Sequence, residues 1–208
     1  MRKLSLTTTL LGVIILTLPA DIANAAIVYP FEVLTSDSSY YDSPNLNLLV
    51  ELSPQQNKVD FTFYNQSLLE SSIARIYFDS GGLLDRIAAV TEGPGTSFSQ
   101  PATPHNLPAG NILEPPFVTT EGLSIGSNPP RSHNGVNPGQ WVQITCDLTD
   151  GGTFAEVIDK LNTGALRIGA HIIALPHCSS ESAIAVPEPA TIALFGLGSL
   201  ALLIKRRP

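Results

Sequence analysis

The chain has 208 residues, with 18 acidic and 11 basic side chains and a net charge of −7. Five of the basic residues lie at the two ends of the chain, and residues 26–186 keep 16 acids and 6 bases, a net charge of −10. A body this acidic lacks the clustered lysines and arginines that phosphate binding requires, which argues against nucleic acid as a partner. Its length of about 160 residues is enough for one domain with a buried core.

The first 25 residues have the three parts of a secretory signal peptide. A basic start precedes an apolar stretch from Leu4 to Leu18, and Ala23 and Ala25 supply the small residues that signal peptidase requires. We expect cleavage after Ala25 or Ala26. A retained N-terminal anchor is the alternative. Either way, residues 1–25 are a targeting segment, and residues 26–186 form the predicted domain.

Two β-hairpins are predicted near the start of this domain. Residues 58–64 alternate polar and apolar side chains, the period of a half-buried strand, and pair in the prediction with residues 47–52. Residues 73–79 and 83–90 flank a turn with two glycines, Gly81 and Gly82, which indicates a second hairpin.

Residues 92–140 are rich in proline, glycine, asparagine and serine, and predict surface loops with a few short strands. Gly122 to Gly126 matches the G-x-S-x-G pattern of a nucleophile elbow. That pattern requires a helix directly after the serine. Because Pro129 and Pro130 follow, no helix is expected there, and we interpret the match as a loop.

The last third of the domain predicts a strand, a helix and a closing strand. Residues 141–148 have strand character, and Thr153 with Glu156 forms a capping box ahead of a short amphipathic helix that Gly164 can end. In the strand over residues 166–174, alternate residues face one side; they are Leu166, Ile168, Ala170 and Ile172. These elements predict a mainly β protein, an antiparallel, jelly-roll-like β-sandwich with one packed helix.

Few side chains in the domain indicate chemistry. Cys146 and Cys178 would reach an oxidising compartment, where a disulfide is expected, with two free thiols as the alternative. His171 and His177 lie near Cys178 but match no zinc pattern, so no metal site is assigned. The acids are scattered singly, so no carboxylate pair for glycosidase chemistry can be assigned.

Two weaker possibilities remain open. Asp147, Asp150 and the glycines after them match part of a calcium loop, so a structural calcium is an alternative to no cofactor at all. Trp141 begins a strand, where it belongs either to the core or to an aromatic platform that stacks on sugar rings.

The last 22 residues form a distinct tail. Pro187 and Pro189 bracket Glu188, an uncharged run follows from Ala190 to Ile204, and three basic residues, 205–207, come next. As a helix the run spans about 22 Å, against about 30 Å for the hydrocarbon core of a bilayer. The basic flank predicts a transmembrane helix whose C-terminus points to the cytoplasm. A buried C-terminal helix of the domain is the alternative.

A signal peptide combined with V-P-E-P, an apolar run and K-R-R resembles the PEP-CTERM proteins of Gram-negative bacteria and cyanobacteria. The resemblance implies that Pro187, Glu188 and Pro189 are a sorting signal, and that an exosortase, a membrane transpeptidase, processes the chain near this triplet. It therefore implies an exported protein, anchored in the inner membrane as a precursor and then placed at the cell surface or outside the cell.

A second resemblance covers residues 137–182, which look like a region that recurs in uncharacterised PEP-CTERM proteins. Those proteins share an I-x-F-D-L core, an L-R-I-G-x-H stretch and a G-G-S-E-S turn. This chain departs from the pattern at Cys146 and at His177-Cys178-Ser179, and the two departures together favour the disulfide. The region implies no enzymatic activity.

From these patterns we expect a non-enzymatic exported protein with a structural or adhesive role, located among extracellular polysaccharide. A secreted carbohydrate-binding module is the alternative. A hydrolase would require a clustered site that the sequence does not reveal.

Overall fold

The computed structural model of the chain describes residues 27–35 and 43–187. The strands in this part are β1 (Ile27–Val33), β2 (Leu48–Gln55), β3 (Lys58–Asn65), β4 (Ser72–Asp79), β5 (Leu84–Glu92), β6 (Phe98–Ser99), β7 (Ser124–Ser127), β8 (Trp141–Leu148), β9 (Arg167–Leu175) and β10 (Ser179–Ala185). The helices are α1 (Arg131–Asn134) and α2 (Phe154–Thr163), with 3₁₀ turns at Gly110–Ile112 and Pro176–Cys178.

The strands form one antiparallel, nearly closed sheet in the order β5-β8-β3-β2-β1-β10-β9-β4-β7-β6. Its two edges, β5 and β6, are joined by only five residues. The Phe98 amide of β6 donates to the Glu92 carboxylate of β5 at 2.5 Å. The prediction of a mainly β, antiparallel domain is therefore confirmed.

Strand β1 joins the two halves of the sheet. One half contains β5, β8, β3 and β2, and the other contains β10, β9, β4, β7 and β6. Its first residues, Ile27 to Pro30, pair with β2, and its last residues, Phe31 to Val33, pair with β10. Neither β1 nor β10 was expected from the sequence. The Ser-Ser-Glu-Ser start of β10 has the composition of a loop, and only its partners on both sides make it a strand.

The core lies between the inward faces of the two halves. Phe78 of β4 contacts Phe61 and Phe63 of β3, with ring centroids 5.0 and 6.2 Å apart. The four alternate residues predicted to share one face of the closing strand are all buried in this core. Alternation along each strand, with a period of two, thus assigns side chains to the core or to the outer surface.

The first predicted hairpin is confirmed, with a tighter turn than expected. β2 runs on to Gln55, which pairs with Lys58, so only two residues form the turn. Pro54 is tolerated within β2 because β1 ends its pairing at Leu52, so the missing amide of Pro54 has no strand to donate to.

The second predicted hairpin is wrong. Both strands exist, but β4 pairs with β9 and β7, whereas β5 pairs with β8 in the other half of the sheet. The glycine turn therefore crosses between the halves. Gly81 has φ +55°, and a Cβ there would lie 2.1 Å from the Ala165 carbonyl oxygen, so the crossing requires glycine.

Helix α2 closes one end of the sheet and forms as predicted. The Thr153 hydroxyl accepts from the Glu156 amide at 3.3 Å, and the Glu156 carboxylate accepts from the Thr153 amide at 2.9 Å. Gly164 ends the helix in the left-handed region, at φ 73°. Val157 and Leu161 face the core, and Tyr29 of β1 donates to the Asn162 side chain at 3.0 Å.

The long segment between β5 and β8 is largely irregular, as expected, and part of it covers the outer face of β4, β9 and β10. Leu107 and Phe117 form a second small core there with Tyr77 and Ala102. Leu107 lies directly over Gly169, and a Cβ added to Gly169 would be 2.8 Å from the Leu107 side chain. One detail differs from expectation, because a helix of four residues, α1, does begin after Pro130.

The predicted signal helix over residues 1–25 and the predicted tail helix lie outside the described residues. Among the residues that are described, none of the helices has the length and apolar character needed to span a membrane.

Candidate functional site

The outward face of β1, β2, β3 and β8 carries a row of apolar and aromatic side chains. Pro30 pairs with Leu49, Leu49 with Tyr64, and Tyr64 with Trp141, so these four residues lie side by side across four strands. All four are partly exposed. We call these four residues the aromatic row, after Tyr64 and Trp141. With strands about 4.8 Å apart, the aromatic row is about 14 Å long.

A polar row lies next to the aromatic row on the same face. Glu51 of β2, Thr62 of β3 and Gln143 of β8 occupy neighbouring register positions, and the Gln143 amide donates to the Thr62 hydroxyl at 3.3 Å. Burial raises the pKa of Tyr64, and the negative charge of nearby Glu51 raises it further. One surface therefore combines ring faces with hydrogen-bonding groups.

Trp141 is the residue of this surface that the sequence analysis singled out, and it faces outward. Val142, Ile144 and Cys146 take the core positions of β8 instead. Sequence reasoning considered the five tyrosines together as partners of Trp141 in a sugar platform, but it did not single out Tyr64. The alternation of residues 58–64 already places Tyr64 on the polar face, but its position beside Trp141 depends on the pairing of β3 with β8.

The candidate calcium ligand Asp147 is held by two cations. Its carboxylate forms ion pairs with Lys58 of β3 at 2.8 Å and with Arg86 of β5 at 2.6 Å. Hydrogen bonds from these two side chains hold the pKa of Asp147 below its usual range. A carboxylate already paired with two positive groups is a poor calcium ligand, which disfavours the calcium loop that the sequence left as an alternative to no cofactor.

His171 of β9 and Ser182 of β10 are opposite one another in the register, with Nδ1 and Oγ 3.5 Å apart. Burial lowers the pKa of His171 to about 4, the positive charge of Arg75 lowers it further, and a hydrogen bond with the Glu181 backbone opposes the shift. The neighbouring Glu181 side chain is buried and accepts a hydrogen bond from the Thr35 hydroxyl. The L-R-I-G-x-H stretch thus belongs to β9 and the S-E-S stretch to β10, and these two strands are adjacent.

The structure does not form the predicted disulfide. Cys146 is a buried thiol on the core face of β8, and Cys178 is an exposed thiol in the turn between β9 and β10. Burial and the negative charges of Asp147 and Asp60 raise the pKa of the Cys146 thiol to about 12. The two sulfurs lie on different halves of the sheet, one inside and one outside.

The serine of the G-x-S-x-G match is a strand residue. Ser124 begins β7, is buried, and accepts a hydrogen bond from the Ala102 amide at 3.2 Å. Within residues 27–35 and 43–187, no group of three or more histidine, cysteine or acidic side chains is arranged to hold a metal ion.

The tail follows the domain almost without a linker. β10 lies in the middle of the sheet, between β1 and β9, and ends at Ala185. The Val186 amide still donates to the Pro30 carbonyl at 3.0 Å, and Pro187, the next residue, is exposed. A single residue, Val186, therefore separates the triplet from a central strand. Its Glu188 and Pro189, like Ala23 and Ala25 at the signal cleavage site, lie outside the described residues.

Residues 185–207 match the family model of the PEP-CTERM protein-sorting motif. The chain is a protein with a PEP-CTERM sorting motif. The match begins at the last residue of β10 and includes the triplet, the apolar run and the basic residues. Comparisons with curated proteins and with solved structures find no match.

The motif establishes how the PEP-CTERM protein is handled by the cell. A PEP-CTERM motif is the C-terminal sorting signal of exported proteins that an exosortase processes at the membrane. The predicted family is therefore confirmed. The motif implies an exported, membrane-processed protein and is consistent with a sorting enzyme as its partner. The motif does not extend into residues 27–184, so the role of the domain is argued from its own surface.

Proposed function

We propose that this PEP-CTERM protein is a non-enzymatic component of the cell surface or extracellular matrix. In this proposal, signal peptidase removes residues 1–25, the tail holds the precursor in the inner membrane, and an exosortase acts near Pro187-Glu188-Pro189. The observation that carries the proposal is the sorting motif over residues 185–207, directly after β10. A structural or adhesive role then belongs to the domain.

Three properties of the domain support a structural role. Its net charge of −10 favours solubility outside the cell. Ser124 and Asp147, two candidates for chemistry, are engaged in hydrogen bonds and ion pairs within the fold. The contacts of Phe78 with Phe61 and Phe63 support a β-sandwich as the form of the domain.

The test is the intact mass of the protein recovered from the cell surface and the medium of the producing cell. We expect a species that starts at Ala26 or Ile27 and ends near Pro187. A Glu188→Ala variant, which changes only the triplet, should accumulate with residues 205–208 still present. Wild-type protein that retains residues 205–208 at the surface would contradict processing and make the tail a lasting anchor.

The outward face of β1, β2, β3 and β8 favours a second candidate, a carbohydrate-binding module. Trp141 and Tyr64 are neighbouring, partly exposed aromatic residues on this face, and Gln143, Thr62 and Glu51 supply hydrogen-bonding groups beside them. Aromatic side chains with an apolar face and a polar handle suit sugar rings, which are themselves apolar on one face and rich in hydroxyl groups. The acidic domain favours a neutral glycan over an anionic one.

Trp141, the single tryptophan of the chain, makes the second candidate testable by fluorescence. Titration with neutral polysaccharide from the producing cell should shift its emission, and Tyr64→Ala should weaken the response about tenfold. Val118→Ala, at an exposed site on the other half of the sheet, is the matched control and should bind like the wild type. No response from the wild-type protein, or equal binding by Tyr64→Ala, would eliminate this candidate.

A further inference from the structure

The last residues before the tail leave the domain beside a specific loop. Ile184 pairs with Gly169, which is two residues from Arg167 at the start of β9, and Val186 follows Ile184 by two residues. The Arg167 guanidinium donates to the carbonyls of Pro115 and Pro116 at 2.6 and 2.7 Å. We call residues 112–118 the exit loop, because Arg167 connects them to the point where the chain leaves the sheet.

The exit loop is held firmly, yet it exposes apolar side chains. Arg167 is also paired with Asp79 and lies 5.4 Å from the centre of the Phe117 ring. Ile112 and Val118, on either side of these contacts, are 57% and 62% exposed. They are two of the four large apolar side chains that are exposed in the described part of the chain, and they lie in a loop anchored to the exit strand.

The chain beyond Val186 leaves little distance between the domain and a membrane. Three residues, 187–189, connect Val186 to Ala190, where the apolar run begins, and the four steps between these two residues cover at most about 14 Å at full extension. The headgroup layer on each side of the hydrocarbon core is roughly 5–8 Å thick. With the run inserted, the end of the domain that carries Val186 lies within about 10 Å of the headgroups.

The length of the run adds a force in the same direction. Residues 190–204 as a helix span about 22 Å, less than the hydrocarbon core of about 30 Å. A span that is too short thins the bilayer or draws its flanks toward the membrane. The segment on the N-terminal side of the apolar run is the domain itself, so the mismatch draws the exit loop toward the lipid.

We propose that the exit loop rests on the lipid surface in the membrane-anchored precursor, with Ile112 and Val118 inserted at headgroup depth. The inference rests on insertion of the tail, which is part of the proposed function. Glu114, exposed in the same loop, fits this depth rather than the hydrocarbon core. The lipid contact is a second point of attachment, and it orients the domain while the sorting enzyme acts on the adjacent triplet.

The test places single tryptophans in the chain of residues 26–208, reconstituted in phosphatidylcholine vesicles with or without brominated acyl chains. Trp141→Phe provides the background. Ile112→Trp and Val118→Trp report on the exit loop, and Phe195→Trp reports on the tail. Leu68→Trp is the matched control, because Leu68 is 89% exposed but lies beside Ala174, at the other end of β9 from Arg167.

We expect roughly twofold quenching by brominated lipid at Ile112→Trp, Val118→Trp and Phe195→Trp, and none at Leu68→Trp, since interfacial side chains lie about 5–10 Å into the headgroup and acyl boundary. Quenching at Phe195→Trp alone would overturn the lipid contact and leave the anchored tail intact. Quenching at none of the sites would overturn both the lipid contact and the insertion of the tail. Quenching at Leu68→Trp as well would overturn the proposed orientation. Far-UV circular dichroism of each variant verifies that it is folded.

Discussion

Cys146 and Cys178 differ in their exposure to solvent, which controls the reactivity of a thiol. Cys146 is buried, and its pKa is raised to about 12, whereas Cys178 is exposed in a turn. The thiolate is the reactive form, so burial and a high pKa both protect Cys146.

Thiol titration should therefore count one reactive cysteine in the native protein and two after unfolding in urea. A Cys178→Ser variant should show none in the native state and one after unfolding. Both counts are measured without reductant with an aromatic disulfide reagent. No thiol in either state of the wild type would establish the disulfide that the sequence predicted.

His171 makes the stability of the domain depend on pH. Its pKa is about 4 in the fold, against an ordinary histidine pKa of 6.5, because the ring is desolvated and faces Arg75. Between these two pH values the unfolded chain binds a proton that the folded chain does not. The contribution of His171 to the free energy of unfolding is therefore fully present above pH 6.5 and falls as the pH falls toward 4.

Urea unfolding at pH 7 and pH 5 measures this dependence. We expect the contribution of His171 to fall by about 1 kcal/mol, a figure discounted because the ring is only partly buried. A His171→Asn variant keeps a group opposite Ser182 and should lose that part of the pH dependence. The same difference between pH 7 and pH 5 in both proteins would assign the effect to other groups.

Helix α2 shows, at the scale of one element, how a local pattern forms regular structure. The capping box of Thr153 and Glu156 satisfies two amides at the start of the helix, and Gly164 ends it. Both signals lie within a few residues of the helix, which is why the sequence predicted its start and its end.

Thr153→Ala should lower the free energy of unfolding by about 1 kcal/mol, because it removes the N-cap oxygen. Thr163→Ala is the matched control at the other end of the same helix. The Thr163 hydroxyl donates to the Asp159 carbonyl within the helix and caps nothing at the N-terminus, so we expect a change within about 0.5 kcal/mol. Urea midpoints provide the comparison, and equal losses at both sites would contradict the capping role.

The strands illustrate the limit of local patterns. β2, β3, β8 and β9 were predicted from alternation, but the partner of β4 was not, because a glycine turn between two strands permits either a hairpin or a crossing. β10 was missed for a related reason. Its polar residues become buried only through contacts with β1 and β9, such as the bond from Thr35 to Glu181.

At the scale of the whole molecule, β10 lies next to β1, the strand that joins the two halves of the sheet, and also leads into the tail. Because β10 pairs with β1 on one side and β9 on the other, its loss would open the sheet at its middle. A chain that ends at Cys178 should therefore fail to fold, whereas a chain that ends at Pro187 should fold like the full domain. Near-UV circular dichroism and thermal melting distinguish the two, and a cooperative melt of the shorter chain would contradict this role of β10.

The sequence by itself determined that this protein carries a sorting motif and where its capped helix forms. The sorting tail and the capped helix are contiguous patterns, as is the predicted signal peptide, so each was read from a few neighbouring residues, and the tail is confirmed by the motif over residues 185–207. Only the tertiary structure decided what lies side by side: Tyr64 beside Trp141, Asp147 between two cations, and the exit loop beside Arg167. These neighbours are dozens of residues apart in the chain, and strand pairing, a long-range interaction, brings them together.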